Sequence, residues 1–345
     1  AASPNEVAPL CDHFGEKCGG CAFQNLAYPA QLQAKRSLLA LRLREYGITR
    51  GEELLREVVP SPSHFGFHGR TEFRFFLRDG PRMGMHPAGS PVPVCISHCR
   101  LHPAAAQRAF EATLSAARAE PEVAVFDERT GRGWLCSAVF RSAAAPGAPE
   151  GGEPTRSVLV TLVTIASAPR GPLSRLAAAI AEGCREVAGV AWSTEGGEPA
   201  LRASGWRSSG QSAQEALVGQ ARLVRSICGA QLELAPEAFS RQNTLLEDTI
   251  CETVADLAGV GAEDVLWDAF CGQGLLSLPL LAGRCRRLVA LDRSAPALGS
   301  LRRNLALRGL EAKAEVVCAD LGSPRALHGL GLPLSAGRTA GPAGP

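Results

Sequence analysis

The chain has 345 residues, 46% hydrophobic and 20% charged, which suits two domains with buried cores and excludes wholesale disorder. Thirty-six Lys and Arg against 34 Asp and Glu leave a formal net charge of +2, so this is no polycationic coat for nucleic acid, and any RNA contact must come from a local patch. There is no run of 18 uncharged apolar residues, which argues against a membrane span, and the opening residues Ala1 to Glu6 show neither an initiator Met nor a signal-peptide pattern, suggesting a fragment or a processed start. The 12 cysteines are expected to stay reduced, and those that cluster point to metal.

In chain order, the stretch from Cys11 to Cys21 is rich in Gly and Cys and cannot be regular helix. Pro29 to Tyr46 reads as a helix, with Leu32, Leu38, Leu39, Leu41 and Leu43 on its apolar side and Gly47 at its end. Phe67 to Leu77 alternates loosely and reads as a strand turning at Asp79-Gly80-Pro81, followed by short strands at Met83 to Met85 and Val92 to Ile96. Pro103 to Ala119 is an Ala-rich helix; Leu135 to Arg141 and Ser157 to Ile165 are strands. A loop from Ala143 to Thr155, rich in Ala, Gly, Pro and Glu, separates those two strands. Leu173 to Glu186 is a helix, Val187 to Ser193 a strand, and Glu195 to Gly210 a second insertion loop.

At Ala235-Pro236 the pattern changes to strand–helix alternation, the signature of βαβ units on a parallel sheet. The strands are Val265 to Asp268, Arg287 to Leu291 and Ala314 to Cys318; the helices are Thr244 to Leu257, Leu276 to Ala282 and Ser294 to Arg308. From Gly322 onward the chain is low in complexity. The expected domains are therefore residues 1–235, 236–321 and a tail, 322–345.

Cys11, Cys18 and Cys21 put three thiols within eleven residues, and Gly19-Gly20 lets the chain curl tightly between two of them. Cys95 and Cys99 are the nearest candidates for a fourth ligand. Thiolates hold an iron–sulfur cluster or a tetrahedral zinc ion, and spacing alone leaves both open. The other eight cysteines read mostly as small buried hydrophobes. In the second domain, Asp268-Ala269-Phe270-Cys271-Gly272-Gln273-Gly274 joins the first strand to its helix, at the strand end where open α/β sheets bind ligands. Asp292, ending the second strand, is placed for ribose hydroxyls, and Asp320, after the third, for an adenine edge. The absence of a third glycine and of a Walker lysine argues against NAD and ATP. Arg70, Arg74 and Arg78 recur every fourth residue and so share a strand face; with Phe73, Phe75 and Phe76 among them they form a candidate RNA surface, against the alternative of a solvated face over a Phe core.

Four stretches resemble the iron–sulfur, 23S rRNA-type branch of the RNA uracil-C5 methyltransferases, which use S-adenosylmethionine to make 5-methyluridine in ribosomal or transfer RNA. They are Cys11-Asp12-His13-Phe14-Gly15 with Cys18-Gly19-Gly20-Cys21, Gln24, Tyr28, Gln31 and Lys35; Gly69 to Arg74 with Met83-Gly84 and Cys99; Ile227-Cys228-Gly229 with Leu234, Pro236, Phe239 and Asn243; and Asp268 to Gly274 with Leu278-Pro279-Leu280 and Asn304. The resemblance implies an α+β central domain carrying a cluster loop, followed by an incomplete Rossmann-like α/β methyltransferase domain. It implies a 4Fe–4S cluster on Cys11, Cys18, Cys21 and Cys99, and S-adenosylmethionine held by Phe270, Gly272, Gly274, Asp292 and Asp320. Arg241 stands where the family places a cofactor-contacting Gln, and Asp292 where it places a Glu.

RNA, ribosomal or transfer, is the expected partner, with Arg70 and Arg74 in contact with it, and a monomer in the cytoplasm (or an organelle of a eukaryote) the expected setting. The family's nucleophilic Cys and general base follow its third strand, where this chain offers neither, so the chain as given is expected not to methylate RNA alone. Cys271 and Cys318 are expected to be packing residues. The first strand is expected to lack its outer neighbour and leave the second domain marginal. A non-catalytic iron–sulfur RNA-binding module is the alternative, and a small-molecule methyltransferase with a zinc-binding extension a third reading.

Overall fold

The computed structural model describes residues 5–15, 18–48, 50–87, 90, 92–143, 157–194, 215–236 and 239–322. Apart from Ala143, both expected insertion loops and the tail beyond 322 lie outside them. Contacts divide the chain into two compact units, Ala1–Leu223 with Ser240–Glu247, and Val224–Phe239 with Asp248–Pro345. The sequence change at Ala235 thus falls inside the second unit.

The first unit opens with helices α1 (Asp12–Gly15), α2 (Tyr28–Glu45) and α3 (Gly51–Leu54). Its main body is a seven-stranded sheet built from β1 (Arg70–Leu77), β2 (Pro81–Met85), β3 (Val94–Cys95), β4 (Leu135–Ser142), β5 (Val158–Thr164), β6 (Val187–Thr194) and β7 (Glu215–Gly219), in the order β3-β2-β1-β4-β5-β6-β7. Only β5 and β6 run parallel, joined through helix α5 (Arg170–Gly183); the other pairs are antiparallel. Helices α4 (Ala104–Ala119) and α5 pack on each other and on this sheet. Small residues make that approach close: Ala105, Ala106, Ala109, Ala116 and Ala117 are all buried on α4. β4 and β5 are buried along their whole length; β5 is accordingly near-continuously apolar, whereas β4 also buries Ser137, Arg141 and Ser142. Strand β1 alternates instead, with Thr71, Phe73 and Phe75 inward and Arg70, Glu72, Arg74 and Phe76 on the other face.

Helix α2 departs from expectation. Pro29 opens it and Gly47, at φ +78°, follows it, as predicted, but only Ala40 is buried. Leu38, Leu39 and Leu41 are about half exposed, at 50%, 50% and 49%. Of the five leucines that periodicity assigns to a core side, these three face solvent, while Leu32 and Leu43 are half-buried.

The second unit holds three parallel strands, β10 (Val265–Ala269), β11 (Arg287–Asp292) and β12 (Ala314–Cys318), in that order, with α6 (Glu247–Ala258), α7 (Ser277–Leu280) and α8 (Ala295–Leu307). Central β11 is buried from Leu288 to Leu291, whereas Val265 and Trp267 on β10 remain 38% and 40% exposed. A two-stranded sheet of β8 (Leu223–Ile227) and β9 (Ala230–Leu234) was not expected from the sequence. Its turn is Cys228-Gly229, both at positive φ (47° and 74°), the two-residue hairpin geometry that matches strand twist. Asn304 on α8 ties this hairpin down: its Oδ1 accepts from Glu233 N at 2.7 Å, and its Nδ2 donates to Glu233 O and Gln273 O, each at 3.1 Å. No described helix is long and apolar enough to cross a membrane.

Candidate cofactor and cluster sites

The turn after β10 is built from left-handed backbone. Phe270 has φ +61°, Gly272 +55° and Gly274 +85°. Gly274 admits no side chain, since a Cβ there would stand 2.7 Å from methyl carbons of both Leu278 and Leu301. Gly272 is the opposite case; a Cβ there would meet nothing within 4 Å, so its backbone borders open space. Phe270 beside it is 76% exposed, unusual for an aromatic ring.

Asp292 closes the turn from the next strand. Its Oδ2 accepts from Gly272 N at 2.9 Å, its Oδ1 from Ser294 N at 2.8 Å, and Cys271 N donates to Leu291 O at 3.0 Å. A carboxylate offers about four lone-pair sites, so two remain for ligand hydroxyls. Buried Gln273 braces the turn, accepting from Ala235 N at 3.1 Å and donating to Phe239 O at 3.0 Å. Phe239 is itself 77% exposed. The two glycines, Phe270 and Asp292 therefore stand together around an open face, and the donors and acceptors fit an adenosine-type ligand. Asp320 lies beyond β12, exposed, accepting from Gly322 N at 3.0 Å. Arg241 is half-buried in the first unit, whereas the other five expected cofactor residues belong to the second. Helix α7 has one turn only, so the expected helix over Leu276 to Ala282 is shorter and brings no macrodipole to the turn.

The thiol beside this turn is held in its protonated form. Burial, then the charges of Asp268 and Asp292, push the Cys271 pKa up to about 12, so it stays protonated at neutral pH. Cys318 corrects the packing expectation: it is exposed, and it pairs in register with Asp292.

The four cysteines of the expected cluster share one neighbourhood. Cys11 is buried at the start of α1; Cys18 N donates to His13 O at 3.2 Å. Gly19 sits at φ +81° between the paired thiols, and Gln24 Nε2 donates to Cys21 Sγ at 3.1 Å. His13 Nε2 lies 3.1 Å from Ser97 Oγ, which links this loop to the segment carrying Cys99; Cys99 N donates to Gln107 Oε1 at 3.0 Å. Burial raises the Cys21 pKa, with repulsion from Cys18 and Cys11 adding to it. Cys99 is pushed up to about 11, by burial first and by Cys21 and Cys11 in addition. Yet among the described residues no three His, Cys, Asp or Glu stand close enough together to hold a metal ion.

The arginine face is largely neutralised from within. Arg70 pairs with Glu72 at 3.3 Å and Arg74 with Glu128 at 2.6 Å. Phe73 and Phe75 are in the core, 0% and 4% exposed, which favours the alternative of an arginine face over a Phe core; Phe76 is half-buried on the Arg face.

No family model matches the chain. It is 28% identical over 313 residues to a protein of Caldanaerobacter subterraneus subsp. tengcongensis named as an uncharacterized RNA methyltransferase, covering 90% of this chain and 65% of that one. It is 23% identical to the 23S rRNA (uracil(1939)-C(5))-methyltransferase of Polaromonas naphthalenivorans, covering 88% of this chain and 56% of that one. The chain thus spans about 65% of the length of the first of these relatives and less of the other. The fold matches the crystal structure of the Pyrococcus abyssi tRNA (uracil-54, C5)-methyltransferase in complex with S-adenosyl-L-homocysteine, with a TM-score of 0.65 at 23% identity, over 92% of this chain and 66% of that one. The chain has the mixed-sheet and Rossmann-like fold of that methyltransferase.

Proposed function

We propose that this chain carries the central and cofactor-binding parts of an S-adenosylmethionine-dependent RNA methyltransferase acting on uracil C5 in ribosomal or transfer RNA. The observation that carries the reading is the open turn of Phe270, Gly272 and Gly274 locked to Asp292, in a fold shared with a uracil-C5 methyltransferase. S-adenosylmethionine, when bound, supplies the methyl group. The chain's own residues bind and orient it: Asp292 offers its unused lone pairs to ribose hydroxyls, the exposed Phe270 ring covers the adenine, and Gly272 lets the ligand approach the backbone. Asp320 adds an acceptor beyond β12, and Arg241 stands in for the family's glutamine. C5 of uracil becomes nucleophilic only after a thiolate adds to C6, and a base must then remove the C5 proton. Neither role is given to Cys271, which its surroundings keep protonated.

Calorimetry with S-adenosylhomocysteine tests the cofactor reading. Binding that Asp292→Ala weakens by about 1–3 kcal/mol supports it; no heat of binding at all refutes it. Tritium release from RNA carrying C5-labelled uridine tests the chemistry, because methyl transfer without release would place the methyl elsewhere than C5.

The same proposal includes a 4Fe–4S cluster on Cys11, Cys18, Cys21 and Cys99, as the outer frame of an RNA-binding unit in which Arg70 and Arg74 meet phosphates. The shared neighbourhood of the four thiols supports it. Anaerobic reconstitution should give a brown chain holding about four irons, as the cluster's stoichiometry requires. Cys99→Ser should lose most of the visible absorption, and a colourless chain binding one zinc would refute the cluster.

A further inference from the structure

A cavity of about 640 Å³ opens in the first unit, within the size range of small-molecule sites. Cys21, Gln24, Tyr28, Gln31 and Lys35 all line it. These residues follow the cysteine pair at spacings of three, four, three and four, so the loop and one face of α2 present them to the same space. Only Cys21 is a ligand of the proposed cluster; Gln24 touches it through its amide nitrogen, and the other three are not among its ligands. The remaining walls include Phe23, Phe65 and Phe67, with Asn243 at one end. The Tyr28 and His64 rings stack with centroids 3.6 Å apart, giving the cavity a flat aromatic wall held in place where Tyr28 Oη accepts from Ser61 N at 2.8 Å. Gln24 Oε1 is buried and accepts from no group among the described residues, although its amide nitrogen is engaged at Cys21. Lys35 is exposed on the rim.

Flat rings, an amide oxygen lacking a donor and a cation at the mouth make a set with one chemical match. Rings take the face of a planar heterocycle, the amide oxygen takes an N–H from its edge, and lysine takes a phosphate. An aliphatic peptide side chain would use none of the polar groups. We infer that this cavity receives a single unstacked nucleobase, held with its Watson–Crick N–H edge toward Gln24 and its phosphate toward Lys35. The ligand class rests on the RNA reading above, and the site is separate from the turn around Gly272.

The test uses the full chain, with Tyr28 and His64 resonances followed by NMR during titration with uridine 5′-monophosphate and with its N3-methylated form, which has no N–H on that edge. In parallel, a single-stranded RNA carrying 4-thiouridine is photo-cross-linked and the attached peptide identified. The expected result is a saturable shift of both rings by the unmethylated nucleotide, weakened ~5- to ~150-fold by Phe65→Ala, little response to the methylated one, and cross-links within 20–35 or 61–68. Equal binding of the two nucleotides, or no shift together with cross-links elsewhere, overturns the pocket while leaving the RNA substrate standing. Nucleotide binding without any RNA binding keeps the pocket and removes the RNA reading. Silence in both assays removes both.

Discussion

Gly272 and Gly274 sit two residues apart and both have positive φ, but they answer to different constraints. A side chain at Gly274 must displace Leu278 and Leu301, whereas one at Gly272 meets only open space. Gly274→Ala therefore combines left-handed strain of about 1–2 kcal/mol with overpacking of about 1–3 kcal/mol, and should lower the stability of the second unit by several kcal/mol in urea titration. Gly272→Ala should cost only about 1–2 kcal/mol of stability but weaken S-adenosylhomocysteine strongly, because its methyl group occupies the ligand's side of the turn. The cysteines offer a second contrast. Cys271 is buried with its pKa near 12, and Cys318 is exposed. Iodoacetamide at pH 8 should alkylate Cys318 and spare Cys271, as peptide mass mapping would show; prompt modification of Cys271 would contradict its protonated, buried state. The glycine spacing and Asp292 were readable from the sequence because strand ends fix them. The exposure of Cys318 was not, because a cysteine among valines reads as packing whether or not anything covers its strand.

Elements were legible where their own residue pattern carries the signal. β5 announces itself by a β-branched run, β4 and β6 by short apolar stretches, and α4 by its alanines. The β8–β9 hairpin did not, although Cys228-Gly229 is a recognisable two-residue turn, because strands of five residues with polar Arg225, Gln231 and Glu233 interleaved offer little hydrophobic signal. What holds this hairpin is Asn304, some seventy residues later. Asn304→Ala removes three hydrogen bonds from a fully buried position. At about 1 kcal/mol each, and more where Glu233 N and Gln273 O are left buried without partners, the loss should reach about 3 kcal/mol. It should appear as a lowered melting temperature of the second unit, with faster amide exchange across Ala230 to Leu234. Helix α2 shows the converse limit: its leucine period was readable, but no period says whether a partner exists to cover it.

At the scale of the whole molecule, two compact units should unfold as two transitions, each with its own lever. His102 is the lever in the first. It is buried among Phe73, Phe110 and Phe140, neither ring nitrogen has a hydrogen-bond partner among the described residues, and burial, with His68 nearby, pulls its pKa down to about 3. Between pH 3 and the ordinary value near 6.5, the unfolded chain holds a proton on this ring that the folded chain does not. Stability from this group is therefore intact above pH 6.5 and declines as pH falls toward 3, by up to about 1.4 kcal/mol per pH unit. His102→Phe keeps a ring in the cluster and removes the proton. It should flatten the acid dependence of the first transition by that slope, and an unchanged slope would assign the acid sensitivity elsewhere. The lever in the second unit is ligand. S-adenosylhomocysteine at a hundred times its dissociation constant should stabilise the unit that binds it by about 2.7 kcal/mol. If only Phe270, Gly272, Asp292 and Asp320 make the site, calorimetric scanning should move the second transition alone.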